Sequence, residues 1–148
     1  MLNPSRLRSS SELTGAIIGT LLGDSGIHDT NRFNCEQISE NLIKYKKSII
    51  QQLVSEDITI HSRQRSPAIV HTNQTESIFK PTYAIKVRHA LFRKLREELY
   101  ISGTKQVTMS TLSKLTDEGL ALWIMDDGTL WFNPKNHTKY LRLCTDSF

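Results

Sequence analysis

The chain has 148 residues and a formal net charge of +4, with a pI near 9.2. That balance favours a polyanionic partner, although a modest surplus of positive charge also serves solubility. No apolar run approaches the length of a membrane span, and the two cysteines, Cys35 and Cys144, show neither CxxC nor Cys/His zinc spacing.

In chain order, Ser9 to Glu12 has capping-box spacing ahead of a helix predicted over residues 13–23. That helix is apolar nearly all round (Leu13, Ala16, Ile17, Ile18, Leu21, Leu22), so it belongs in a core. Gly15, Gly19 and Gly23 recur every four residues and line one face. Glycine costs a helix about 1 kcal/mol against alanine, so the stripe makes sense where a second backbone comes close. Residues 30–38 alternate as a strand, with Phe33 and Cys35 on one face and Arg32, Asn34 and Glu36 on the other. Ser39 caps a helix reaching about residue 53, striped by Leu42, Tyr45, Ile49 and Leu53, with Lys44, Lys46 and Lys47 expected to point elsewhere. Residues 58–65 alternate again, with His61, Arg63 and Arg65 outward, and the polar stretch 66–76 reads as their hairpin connection. Residues 79–87 form a strand with Lys86 outward, and residues 88–100 an amphipathic helix on Leu91, Phe92, Leu95 and Leu99. Residues 101–114 read as a linker. Thr116, Asp117 and Glu118 open a further helix, the acids suiting its positive end. A last hairpin turns around Asn133-Pro134-Lys135-Asn136.

Two segments share a pattern. Residues 17–25 read IIGTLLGDS and residues 120–128 read LALWIMDDG, each an apolar helical run ending in an acid followed by a small residue. The aspartates at the matched position, Asp24 and Asp127, lie 103 residues apart. Helices packed side by side would bring these two carboxylates together at one end. Carboxylate oxygens are the ligands of hard divalent cations, and such ions serve phosphodiester hydrolysis.

The paired motifs resemble those of the LAGLIDADG homing endonucleases of the two-motif type. The resemblance extends over nearly the whole chain, through residues 83–100 and 141–148. It implies an α+β fold in which each half runs α-β-β-α-β-β-α, with an antiparallel sheet saddle and two packed motif helices. Residues 1–100 would form the first half, 101–114 the linker and 115–148 the start of the second. Only 21 residues follow Asp127, so the second half is expected to be incomplete. The resemblance assigns catalysis to Asp24, Asp127 and a basic residue in the linker, for which Lys105 stands in the right segment. It implies Mg2+, two or more ions with Mn2+ as a substitute, at the helix ends formed by Gly23, Asp24, Asp126 and Asp127, where Asp126 aligns with Gly23 and so reads as a neighbour. The outward strand faces would read duplex DNA through Arg32, Asn34, His61, Arg63, Arg65, Lys80, Lys86 and Arg142, although each residue alone fits an ordinary solvated surface. Family members of this type are mobile with introns. The alternative within the same fold is a non-cutting binder such as a maturase acting on intron RNA. A complementary fragment or a second copy is the expected protein partner, and no membrane is expected. The host compartment, organelle or bacterial or phage cytoplasm, is not distinguished. HNH chemistry is disfavoured because His137 has no second histidine at useful spacing.

Overall fold

The computed structural model describes residues 4–64 and 80–143. The chain opens with α1 (Ser10–Leu22), β1 (Gly26–His28), β2 (Arg32–Gln37), α2 (Glu40–Val54), β3 (Ile60–Arg63), β4 (Thr82–Arg88) and α3 (Ala90–Leu99). A small antiparallel pair, β5 (Tyr100–Ile101) and β6 (Thr104–Lys105), and a short α4 (Met109–Ser113) follow. The last described elements are α5 (Asp117–Asp127), β7 (Gly128–Asn133) and β8 (Thr138–Leu143). Arg65, the 66–76 stretch and Cys144 lie outside the described residues.

α1 starts where it does because Ser9 and Glu12 satisfy each other's backbone N–H groups in a complete capping box. Its apolar circumference is buried on nearly every side from Leu13 to Leu22. β1 to β4 form one antiparallel sheet in the order β1-β2-β4-β3. The register places Ile27, Phe33, Cys35, Ile85 and Val87 on the helix-covered face, all buried. There Phe33 stacks on Phe92 of α3 with ring centroids 5.1 Å apart. The helices therefore cover one face of the sheet and leave the other to solvent.

The segment predicted as one strand over residues 30–38 is preceded by a second, three-residue strand, β1, across a turn at Asp29, whose φ is 55°. β4 begins only at Thr82, just after Pro81, which has no N–H to give a ladder. It also runs on through Arg88, which the periodicity had put in the following helix. The reason is His89, whose Nδ1 accepts from the Leu91 N–H and so caps α3 one residue later. The 101–114 segment carries β6 and α4 as well as connecting chain.

α1 and α5 pack at a distance that only glycine permits. A Cβ placed on Gly19 would stand 1.9 Å from the Gly119 carbonyl oxygen, and one on Gly119 would stand 2.2 Å from the Gly15 carbonyl. Gly15 meets Lys114 and Thr116, Gly19 meets Gly119, and Gly23 meets Asp126. Contacts thus advance in the same sense along both helices, which run parallel. The N-terminal segment secures this arrangement. Arg8 donates to both carboxylate oxygens of Glu118, at 2.8 and 2.7 Å, and to the Tyr45 hydroxyl at 3.0 Å, joining the start of α5 to α2.

The β7–β8 hairpin extends past this packed body. Leu130, Trp131, Phe132, Tyr140 and Leu141 are all exposed, and Trp131 stacks on Tyr140. Among the described residues no helix is long and apolar enough to cross a membrane.

Candidate active site

Because α1 and α5 run parallel, their C-terminal ends lie side by side. Asp24 follows the α1 cap Gly23, and Asp127 is the last residue of α5. The Asp24 carboxylate is exposed and Asp127 is half-buried. Gln37, at the end of β2, joins the two sides: its Nε2 donates to Asp126 Oδ1 at 3.0 Å and lies 3.4 Å from Asp24 Oδ2. The Asp24 backbone N–H donates to Asp126 Oδ2 at 3.3 Å. Burial pushes the Asp127 carboxyl above its ordinary range, and the negative charges of Asp24 and Asp126 push the same way. Carboxylates gathered at a shared point make a place where a cation is favoured.

Two of the residues expected at the helix ends are engaged within the protein. Asp126 is not open to a metal. Its side chain is fully covered and holds the Lys46 ammonium at 2.6 and 2.7 Å. Lys46, expected to point away from the core, is itself fully covered, and its Nζ also lies 3.7 Å from Cys35 Sγ. A lysine at that helix position turns inward because a carboxylate from α5 waits there. Burial raises the Asp126 carboxyl's pKa and Lys46 opposes it. Lys105 is near the aspartates, but its Nζ donates to the carbonyls of Leu21, Gly23 and Ser25 at 2.7, 3.1 and 3.2 Å. It therefore fastens the C-terminal end of α1, and the Gly23 carbonyl serves this bond. Burial lowers the Lys105 pKa, and Asp127, Asp24 and Asp126 counteract the burial.

Among the described residues no group of three or more His, Cys, Asp or Glu side chains is arranged to hold a metal ion. Asp24 and Asp127 nonetheless fit Mg2+, which is commonly held by one or two carboxylates together with substrate phosphates and water.

The solvent face of the four-stranded sheet is basic. Cross-strand register sets His28, Arg32 and Arg88 in one row, Asn34 beside Lys86 in the next, and His61 and Arg63 beyond. Arg32 and Arg88 face each other directly, and the turn carboxylate of Asp29 reaches both, at 3.4 and 3.1 Å. Lys80 borders an open cleft of about 650 Å³ that Asp24, Glu36, Gln37 and Thr82 also line. Arg142 lies apart on β8, opposite Thr129 and on the same side as Trp131 and Tyr140. Sequence reasoning missed Lys46, Gln37, Arg88 and His28. A Gln ending a strand just before a Ser cap, two residues from a buried Cys, carried no chemical signal of its own.

Parallel glycine-faced helices ending in paired aspartates, over one antiparallel sheet with a basic face, define an α+β protein of the homing-endonuclease fold. The chain belongs to the LAGLIDADG DNA endonuclease family, whose sequence pattern matches residues 14–148. It is 30% identical over 141 residues to the uncharacterized protein MJ1098 of Methanocaldococcus jannaschii, covering 94% of this chain and 51% of that protein. A solved structure described as the homing endonuclease I-WcaI bound to its DNA recognition sequence matches with a TM-score of 0.67 at 23% identity, over 96% of this chain and 63% of that one. The chain thus spans about half the length of the curated relative and under two thirds of the solved one.

Proposed function

We propose that this chain acts as a site-specific, divalent-metal-dependent DNA endonuclease. The observation that carries the reading is the convergence of Asp24 and Asp127 at the ends of two packed parallel helices, beside a sheet face rich in Arg, Lys and His. Membership of a DNA endonuclease family and a fold shared with a DNA-bound homing endonuclease support it.

In this reading the sheet lies along the major groove, where Arg32, Lys86, Arg88 and Arg63 meet phosphates and base edges. Asn34 and Arg side chains suit bidentate contact with bases, and lysines suit phosphates. Asp24 and Asp127 would hold Mg2+ or Mn2+. Such an ion would supply charge neutralisation at the phosphate and lower the pKa of the attacking water. Gln37 lines the cleft and holds Asp24 beside the Asp126 carboxylate. Lys105 keeps Asp24 in place through the α1 carbonyls and adds positive charge close to the carboxylates.

The test compares the unaltered chain with Asp24→Asn and Asp127→Asn on duplex DNA carrying a selected target, with and without Mg2+. Each variant should lose about 10³-fold or more in single-turnover cleavage, as removal of a metal ligand does. DNA affinity should stay within about threefold, because phosphate contacts on the sheet dominate it. Cleavage that survives either substitution would place the chemistry elsewhere. Tighter binding to a structured RNA than to any duplex DNA would replace this reading with an RNA-binding one.

A further inference from the structure

We propose that Lys46 and Asp126 form a positioning pair that sets the backbone of Asp24 from the opposite helix and keeps the third carboxylate at the site out of metal coordination. The inference rests on the endonuclease reading above and assigns two residues that the reaction itself does not use.

Four donations converge on the Asp126 carboxylate: two from Lys46 Nζ at 2.6 and 2.7 Å, one from Gln37 Nε2 at 3.0 Å and one from the Asp24 N–H at 3.3 Å. Neither charged side chain of the pair is open to water. Such a pair is a poor stability device. Desolvating both ions is costly, and a well-packed apolar pair of the same volume usually serves the fold as well. What an apolar pair cannot supply is an acceptor for Asp24. Asp24 is exposed and lies beyond the last turn of α1, and this bond ties its backbone directly to α5.

The geometry is also asymmetric between the two motifs. At the matched position of the first motif stands Gly23, and a Cβ there would sit 2.4 Å from Asp126 Oδ2. The missing side chain on α1 is the space into which Asp126 fits. Lys46, reaching from α2, then cancels the charge of a carboxylate that would otherwise compete with Asp24 and Asp127.

Single substitutions would strand one buried ion, so the test uses two neutral double variants. Lys46→Met with Asp126→Asn removes the ion pair and keeps an acceptor for Asp24. Lys46→Met with Asp126→Leu removes both. The readouts are thermal unfolding, the amide proton resonance of Asp24, Mn2+ affinity without DNA, duplex affinity and single-turnover cleavage. Both doubles should melt within about 5 °C of the unaltered chain. The Asn double should keep the Asp24 resonance downfield and hold Mn2+ affinity within about threefold. The Leu double should move that resonance upfield and weaken Mn2+ binding about tenfold, the effect of losing one charge-assisted hydrogen bond. Its duplex affinity should not change. An Asp24 resonance that stays in place in the Leu double overturns the proposal. So does a Leu double that fails to fold, because the pair would then hold the fold and not the site. An unaltered chain with no Mn2+ affinity refutes the metal reading instead, while the Asp24 resonance still decides the positioning role.

Discussion

Gly19→Ala is the most direct perturbation of the contact on which the site depends. The new methyl would lie 1.9 Å from the Gly119 oxygen and 2.3 Å from its carbonyl carbon, where real Cβ contacts stay above 3.0 Å. Both obstacles are backbone, so no side chain can rotate away, and α1 and α5 must part by more than about 1 Å. Alanine gains about 1 kcal/mol of helix propensity over glycine. Overpacking a closed contact costs about 1–3 kcal/mol or somewhat more, and an unyielding backbone puts this case at the upper end. The net expectation is a loss of about 2 kcal/mol, which lowers the melting temperature by about 4–8 °C in a chain of this size. The same displacement separates Asp24 from Asp127, and a misplacement of about 1 Å can cost about 10²-fold in rate. Gly103→Ala is the control: open space surrounds it, φ is +83° and it lies in an exposed turn, so it should cost about 1 kcal/mol of backbone strain and leave cleavage alone. Differential scanning calorimetry with single-turnover kinetics reads both effects. A Gly19→Ala chain that melts at or above the parent temperature would show that propensity wins and that the helices are not held at glycine distance.

Glu118→Gln should destabilise the fold by about 1–2 kcal/mol at neutral pH, since it breaks the bidentate bond to Arg8 at a partly screened site. The Arg8 hydrogen bonds hold the Glu118 carboxyl below its ordinary range, so its contribution is present above the unfolded glutamate pKa and lost as pH falls through the lower folded value; the difference from Glu118→Gln in urea titrations should shrink to nothing in that acid window. Lys86→Ala and Arg88→Ala should each weaken duplex binding and reduce the slope of log K against log salt by about 1, measured by fluorescence anisotropy. An unchanged slope in both would remove the sheet face from the interface.

The parts that were legible in the sequence were those governed by local rules. Ser9, Ser39 and Thr116 all cap the helices they were expected to start, because a hydroxyl before an apolar run has few other uses. The glycine stripe showed which face of α1 another backbone approaches, because the helical period makes spacing into position. The strand faces followed alternation, so Arg32, Asn34, His61, Arg63 and Lys86 lie outward. What stayed hidden depends on residues far along the chain. Lys46 reads as one of three lysines on a helix until Asp126, eighty residues later, is placed beside it. The family resemblance put Lys105 near the aspartates but did not give the direction of its ammonium, which three α1 carbonyls determine. Arg88 was assigned to the wrong element because histidine is an uncommon cap, and β1 was missed because three residues show no period.

The site also departs from a general electrostatic rule, and the departure accounts for its lysines. Acids are favoured at helix N-termini and cations at C-termini, where each helix carries about half a negative charge. Here two C-termini meet with three carboxylates, Asp24, Asp126 and Asp127. The mutual repulsion of that set opposes bringing α1 and α5 together at this end, and the Asp24 N–H bond to Asp126 and the glycine contacts along the two helices work against it. Lys46 and Lys105 are the counter-charges, one buried against Asp126 and the other bound to the carbonyls that make the α1 end negative. Three carboxylates less two ammoniums leave one negative charge, and the two helix ends add about one more. Under the proposed function, that remaining negative charge is what attracts divalent cations to the helix ends. Removing either lysine should therefore disturb the site more than its distance from the solvent-facing aspartate implies, because the balance and not the individual contact is what the helix ends share.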